Sequence, residues 1–142
     1  MERKKKDQSV YIEPMPRKQF LKLMKEFREA GGHYVADEWS EKILNSQDAE
    51  AATLNATTIL FKRRPSRATV YEELYHTKQY RERILDSSEM CECECEIEAK
   101  QYLLDNAEQL QLTPPEILQT QDLLKVYKDR LSKLKGEKNE SM

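Results

Sequence analysis

The sequence predicts a mainly helical α+β domain, with about five helices and one small antiparallel hairpin. Three observations carry that prediction. Apolar residues recur at intervals of three and four, as in Phe20, Leu23, Met24 and Phe27. Only 3 of 142 residues are glycine, while 35% are charged and 38% hydrophobic, a balance that suits helices with broad solvated faces. One β-branched stretch, Thr57 to Phe61, departs from the helical period and reads as a strand.

The length fits a single domain with one modest core. A polar arm is expected over 1–14, the domain over 15–135 and a flexible tail over 136–142. The first helix is stopped by Gly31-Gly32, and a second short helix starts from Asp37 as its cap, presenting Trp39, Ile43 and Leu44. Ala51 to Leu54 and Thr57 to Phe61 form the hairpin, which ends at Arg63-Arg64-Pro65. Ser66 caps a helix over about 67–84, with Val70, Tyr71 and Leu74 on its buried side. After Asp86-Ser87-Ser88, another helix runs to about Leu110, offering Ile97, Ala99, Tyr102, Leu103 and Leu104. Thr113-Pro114-Pro115-Glu116 combines a cap, proline in the first turn and a capping-box glutamate, so the last helix starts there and Gly136 ends it. Phe20, Trp39, Leu74 and Leu124 are expected to share one core.

Charge excludes little but narrows the partners. The 24 Lys and Arg nearly balance the 26 Asp and Glu, so no global field points to nucleic acid or an anionic membrane. A nucleic-acid role would rest on Lys62, Arg63, Arg64 and Arg67, four basic residues without aromatic interleaving, and is disfavoured. The run Arg3-Lys4-Lys5-Lys6 reads as a solvated tail. No apolar stretch approaches the ~18–20 residues of a membrane span, and the charged start lacks the apolar segment of a secretory signal. A cytoplasmic protein is expected, with specialised export left open. Cys91, Cys93 and Cys95 are too few and too close for a disulfide scaffold. On an extended segment they would gather three thiolates on one side. No Cys or His pair elsewhere completes a tetrahedral zinc set, so reduced thiols without a metal are expected.

The chemistry concentrates in Glu72-Glu73-Leu74-Tyr75-His76. Residues four apart share a helix face, so Glu72 and His76 can reach one point in space. Metalloproteases of the H-E-x-x-H type place two ligands at that spacing, with a glutamate after the first ligand acting as general base toward water on the ion. Glu73 stands in the base position. Glu72 puts a hard oxygen donor where an imidazole is usual. A third ligand must come from elsewhere, and the next helix supplies Glu96-Ile97-Glu98-Ala99. Tyr71, Tyr75 and Tyr80 could bring a phenol near a developing oxyanion, but tyrosines at helical spacing are more often core, and none is assigned a catalytic role.

The order strand, E-E-L-x-H helix, loop, E-x-E-A helix resembles the small zincin-like metallopeptidase domains of bacterial polymorphic-toxin and mobile-element proteins. It covers roughly residues 15–130. The resemblance implies a zincin-like active-site helix and, as in gluzincins, a downstream ligand three positions before a small alanine, which falls on Glu96 before Ala99; Glu98 is the substitute if the register differs. Lys100 stands where several gluzincins carry aspartate or asparagine. The implied function is a metal-dependent peptidase-like hydrolase, with Glu72, His76 and Glu96 holding a divalent metal and Glu73 catalytic. Zinc is the first choice of metal, with manganese the alternative for a set rich in carboxylates. Its partners would be a peptide or protein substrate pairing with Thr57–Phe61 and, in a toxin context, an immunity protein. The rival reading is a non-catalytic binding module on a degenerate zincin scaffold.

Overall fold

The computed structural model describes residues 11–140, which carry five helices and three strands. Residues 1–10 of the expected arm, with the basic run, and residues 141–142 of the tail lie outside them. Where the expected arm meets the domain, Pro14 bridges Ser66, and the Met15 amide donates to the Pro65 carbonyl at 2.8 Å.

Helix α1 (Arg17–Glu29) buries Phe20, Met24 and Phe27, spaced four and three apart as one face requires. Gly31 stops it with φ +95°, in the left-handed region that suits glycine. At Gly32 any Cβ would run into the Phe27 ring, so the chain can turn there only over a glycine. It then enters β1 (His33–Val35), a strand of three residues, too short to show a period of two and absent from the sequence reading. Asp37 caps α2 (Glu38–Ser46) through a reciprocal box with Ser40, whose hydroxyl also donates to the Phe61 carbonyl at 2.8 Å.

Strands β2 (Ala51–Asn55) and β3 (Thr58–Phe61) form the expected antiparallel pair. The sheet is nevertheless mixed, because β1 runs parallel to the other edge of β3 and the order is β1-β3-β2. This corrects two expectations. The hairpin is part of a three-stranded sheet, and its second strand is central, with both edges already paired. An extended substrate therefore has no access to the backbone of Thr58–Phe61, and β2 is the outer strand.

Ile59 and Phe61 point into the core from β3, where they meet Met15, Phe20, Met24, Phe27 and Val70. Phe20 touches Tyr34 and Phe61 edge-on, with ring centroids 5.7 and 5.5 Å apart, the geometry aromatic quadrupoles favour. Leu74 and Tyr71 of α3 (Arg67–Glu82) pack against this cluster. Two residues assigned to it do not belong. Trp39 is 59% exposed, since α2 turns Ser40 and Leu44 inward instead. Leu124 is buried, but on α5 (Pro114–Glu140), which packs along α4 (Glu89–Asp105).

Helix α4 stops at Asp105, short of Leu110, and the chain turns through Gln111 at φ 59°. Helix α5 continues through Gly136 to Glu140, so that glycine does not end it. Its Glu116, 0% exposed, serves two helices. One carboxylate oxygen accepts from the Thr113 amide at 2.9 Å, and the other accepts from the Ala68 amide in the first turn of α3 at 2.8 Å. Among the described residues, no helix is long and apolar enough to cross a membrane.

Candidate metal and catalytic site

Ser66 begins α3 by accepting from the Thr69 amide at 3.2 Å. Two turns on, the helix carries Glu73 and His76 to an open cavity of about 360 Å³ between β2, α3 and α4, with Glu72 beside them on the same helix. Each of these three residues offers a ligand atom within 4.8 Å of the others, so the group could hold a metal ion. From α4, Glu96 comes to the same place: His76 Nε2 lies 3.4 Å from Glu96 and 3.6 Å from Glu72. Glu98 turns elsewhere, pairing with Arg83 and accepting from Gln79.

Gln79, which the sequence reading passed over, sets the orientation of His76. It is 2% exposed, and its amide nitrogen donates to the Cys95 carbonyl at 3.0 Å and to Glu98 at 3.1 Å. Both amide hydrogens are thereby used, so its oxygen must face His76 Nδ1, 2.7 Å away. An Nδ1–H donates there. Nε2 is thereby turned toward Glu72 and Glu96, to which it donates while the ring is charged; on losing that proton it becomes the free ring nitrogen that a ligating imidazole requires.

Lys100 of α4 joins the cluster as well. Its ammonium, on a side chain 5% exposed, lies 2.7 Å from both Glu72 and Glu96. At this position, where the resemblance would put aspartate or asparagine, the lysine bonds both carboxylates directly. Tyr127 of α5 closes over it, with the ammonium 5.0 Å from the ring centroid. The charges reinforce one another. Burial works against a charged ring at His76, but Glu72 and Glu96 outweigh it and push the imidazole up to about 11. Burial likewise opposes the Glu96 carboxylate, yet His76 and Lys100 hold it well below the usual range. Lys100 is held above its usual value by Glu72 and Glu96, against its own burial.

Glu73 behaves in the opposite way. Burial, with the negative charges of Glu72 and Glu96 beside it, pushes its carboxyl up to about 7, although His76 and Thr53 resist. Thr53, on β2, donates to its Oε1 at 2.7 Å. Of the three tyrosines, Tyr80 lines the cavity, Tyr75 stacks on Tyr102 and Tyr71 accepts from Gln19. The cysteines lie on helix α4, where alternate positions fall on opposite sides. Cys91 and Cys95 line the cavity, while Cys93 is buried near Arg130 of α5. Burial, together with the neighbouring Cys91, pushes the Cys95 thiol up to about 11.

The donors of Glu72, Glu73 and His76 are of the kinds a divalent ion takes, one imidazole nitrogen with its other nitrogen anchored and two carboxylates, while the Lys100 ammonium lies against Glu72 and Glu96. The fold and site define an α+β, mainly helical domain with a Glu-Glu-His cluster that could hold a metal ion. Compared with protein-family models, curated proteins and solved structures, the chain matches none.

Proposed function

We propose that this domain is a metal-dependent peptidase-like hydrolase, with Glu72, His76 and Glu96 as ligands and Glu73 as general base. The observation that carries the reading is the fixed His76 ring, whose Nε2 faces two carboxylates while Gln79 holds Nδ1. A divalent ion, zinc or manganese, would supply Lewis-acid polarisation of the scissile carbonyl and acidify water. Glu73 then takes the proton from the attacking water and delivers it to the leaving amine. A carboxyl pushed up to about 7 suits that shuttle, since efficient proton transfer favours a pKa near the working pH. Thr53 aims the carboxylate, and the same residue belongs to outer strand β2, which lines the cavity with Ala51 and Ala52. An extended peptide substrate would pair with that strand. A bacterial toxin or mobile-element setting, with an immunity protein as partner, accompanies the reading.

A second reading is a non-catalytic binding module on the same scaffold. Lys100 favours it, because an internal ammonium already neutralises the carboxylates that a metal would otherwise need to hold together.

Glu73→Gln separates the two. In zinc-loaded protein, the peptidase reading expects peptide hydrolysis to fall by ~10²–10⁴-fold with metal content unchanged. Equal cleavage by wild type and variant, with metal retained, sinks it. Loss of the metal in the variant would make Glu73 a ligand and leave the base unassigned.

A further inference from the structure

The proposed chemistry leaves Cys91, Cys93 and Cys95 without a role. On α4, positions two apart are turned ~200° from each other and positions four apart only ~40°. The run therefore divides. Cys93, 1% exposed, turns toward Arg130, whereas Cys91 and Cys95 share a face and open on the cavity that holds His76. All three are free thiols.

A disulfide is a poor use of this pair. Helical neighbours four apart keep their Cβ atoms ~5–6 Å from each other, beyond the ~3.5–4.5 Å that a relaxed disulfide needs. An ion between the sulfurs removes the conflict, because a metal–sulfur bond of ~2.3 Å on each side spans a gap that one S–S bond cannot. Asp86 and Glu92, which line the same cavity, also favour a cation.

We propose that Cys91 and Cys95 form a second cation site in this cavity, chelating one soft, thiol-seeking ion of the Cu⁺ type and distinct from the His76 carboxylate cluster. Two sulfur donors without imidazole select soft ions, whereas the hard carboxylates on α3 do not. Binding forms two Cu–S bonds and breaks two S–H bonds, and both protons leave to solvent, with no change of oxidation state. The site stands on the helical placement of the thiols and does not depend on the peptidase reading.

Anaerobic titration of the full chain with Cu⁺, against a competing coloured chelator, tests it. One equivalent should bind with the ultraviolet absorption of copper–thiolate bonds. Cys91→Ser and Cys95→Ala should each lose that equivalent, while Cys93→Ser and His76→Ala keep it. Helical circular dichroism of each variant confirms folding, and the exposed-side Cys91→Ser provides the test should Cys95→Ala not fold. Copper uptake that survives both Cys91→Ser and Cys95→Ala, that requires Cys93 or His76, or that is absent from the wild type would overturn the proposal.

Discussion

The Lys100 ammonium lies 2.7 Å from Glu72, a residue 28 positions away on the preceding helix, and at the same distance from Glu96 on its own. This contact joins α3 to α4 at the point where their carboxylates would otherwise repel. Removing one partner of a buried ion pair costs ~3–5 kcal/mol, because the remaining charge stays desolvated. Glu72 and Glu96 keep 18% and 21% side-chain exposure, so Lys100→Met should cost less, about 2–3 kcal/mol in metal-free protein. Zinc should raise the melting temperature of the variant more than that of wild type, since the ion replaces the missing charge. Equal melting curves without metal would show that the lysine adds nothing to stability.

Stability of the metal-free domain should fall as the solution becomes alkaline. His76 is raised from 6.5 to about 11, so its stabilising charge is fully present below the unfolded value and is lost as pH climbs through the folded one. Glu73, raised from 4.5 to about 7, acts in the same sense: the cost of burying it ionised grows between those values. Glu96 is lowered, so its contribution is present above 4.5 and disappears on acidification below it. Melting temperatures should therefore peak in mildly acidic solution and decline from pH 7 to 10. Zinc affinity should rise over the same interval, because the ion must displace the His76 proton. A flat profile in both measurements would contradict the charged imidazole.

The parts of the site that were legible in the sequence are those set by local periodicity. Glu72 and His76 neighbour each other because one helical turn separates them, and Ser66, Asp37 and Thr113 announced their helices through capping chemistry. Gln79 and Lys100 were not legible in this way. Each has one partner on its own helix, His76 for Gln79 and Glu96 for Lys100, but Cys95, Glu98 and Glu72 lie on another helix, and nothing in a polar residue's own neighbourhood shows that it will be buried. Strand β1 failed for a different reason, since three residues cannot display alternation and its pairing with β3 is nonlocal. At the cysteines Glu92 and Glu94 imitate a strand's period of two, yet the helix expected after Asp86-Ser87-Ser88 carries all three. Ser88 accepts from the Cys91 amide at 3.1 Å, a helix cap three residues before the run.

Glu116→Ala should be among the more damaging substitutions outside the site. Its carboxylate answers amides at the start of two helices, and hydrogen bonds to charged groups are worth ~1.5–3 kcal/mol each. Truncation leaves the Thr113 and Ala68 N–H groups competing for no replacement in a buried setting. A loss of about 3 kcal/mol in denaturant unfolding is expected, with Glu116→Gln intermediate because one oxygen remains. A loss below about 1 kcal/mol would mean that water reaches both amides.

Gln79 provides the sharpest test of how His76 is presented. Its amide nitrogen is committed to the Cys95 carbonyl and to Glu98, so its oxygen can only accept from Nδ1–H, and a neutral His76 keeps its free lone pair on Nε2. Gln79→Met fills similar space but accepts no such bond. The ring could then carry its proton on Nε2, where Glu72 and Glu96 are ready acceptors, and a metal would have to reverse that arrangement. Partners of this kind are worth ~10–100-fold in metal affinity, and zinc binding by Gln79→Met should weaken by about that factor. The ¹⁵N shifts of the imidazole, read above the His76 titration near pH 11 where the ring is neutral, separate this from a packing defect: wild type should show a protonated Nδ1, and the variant should lose that preference. A variant with weakened zinc binding but an unchanged tautomer would assign Gln79 to packing alone, and unchanged binding with a changed tautomer would show that Nε2 is not the ligand.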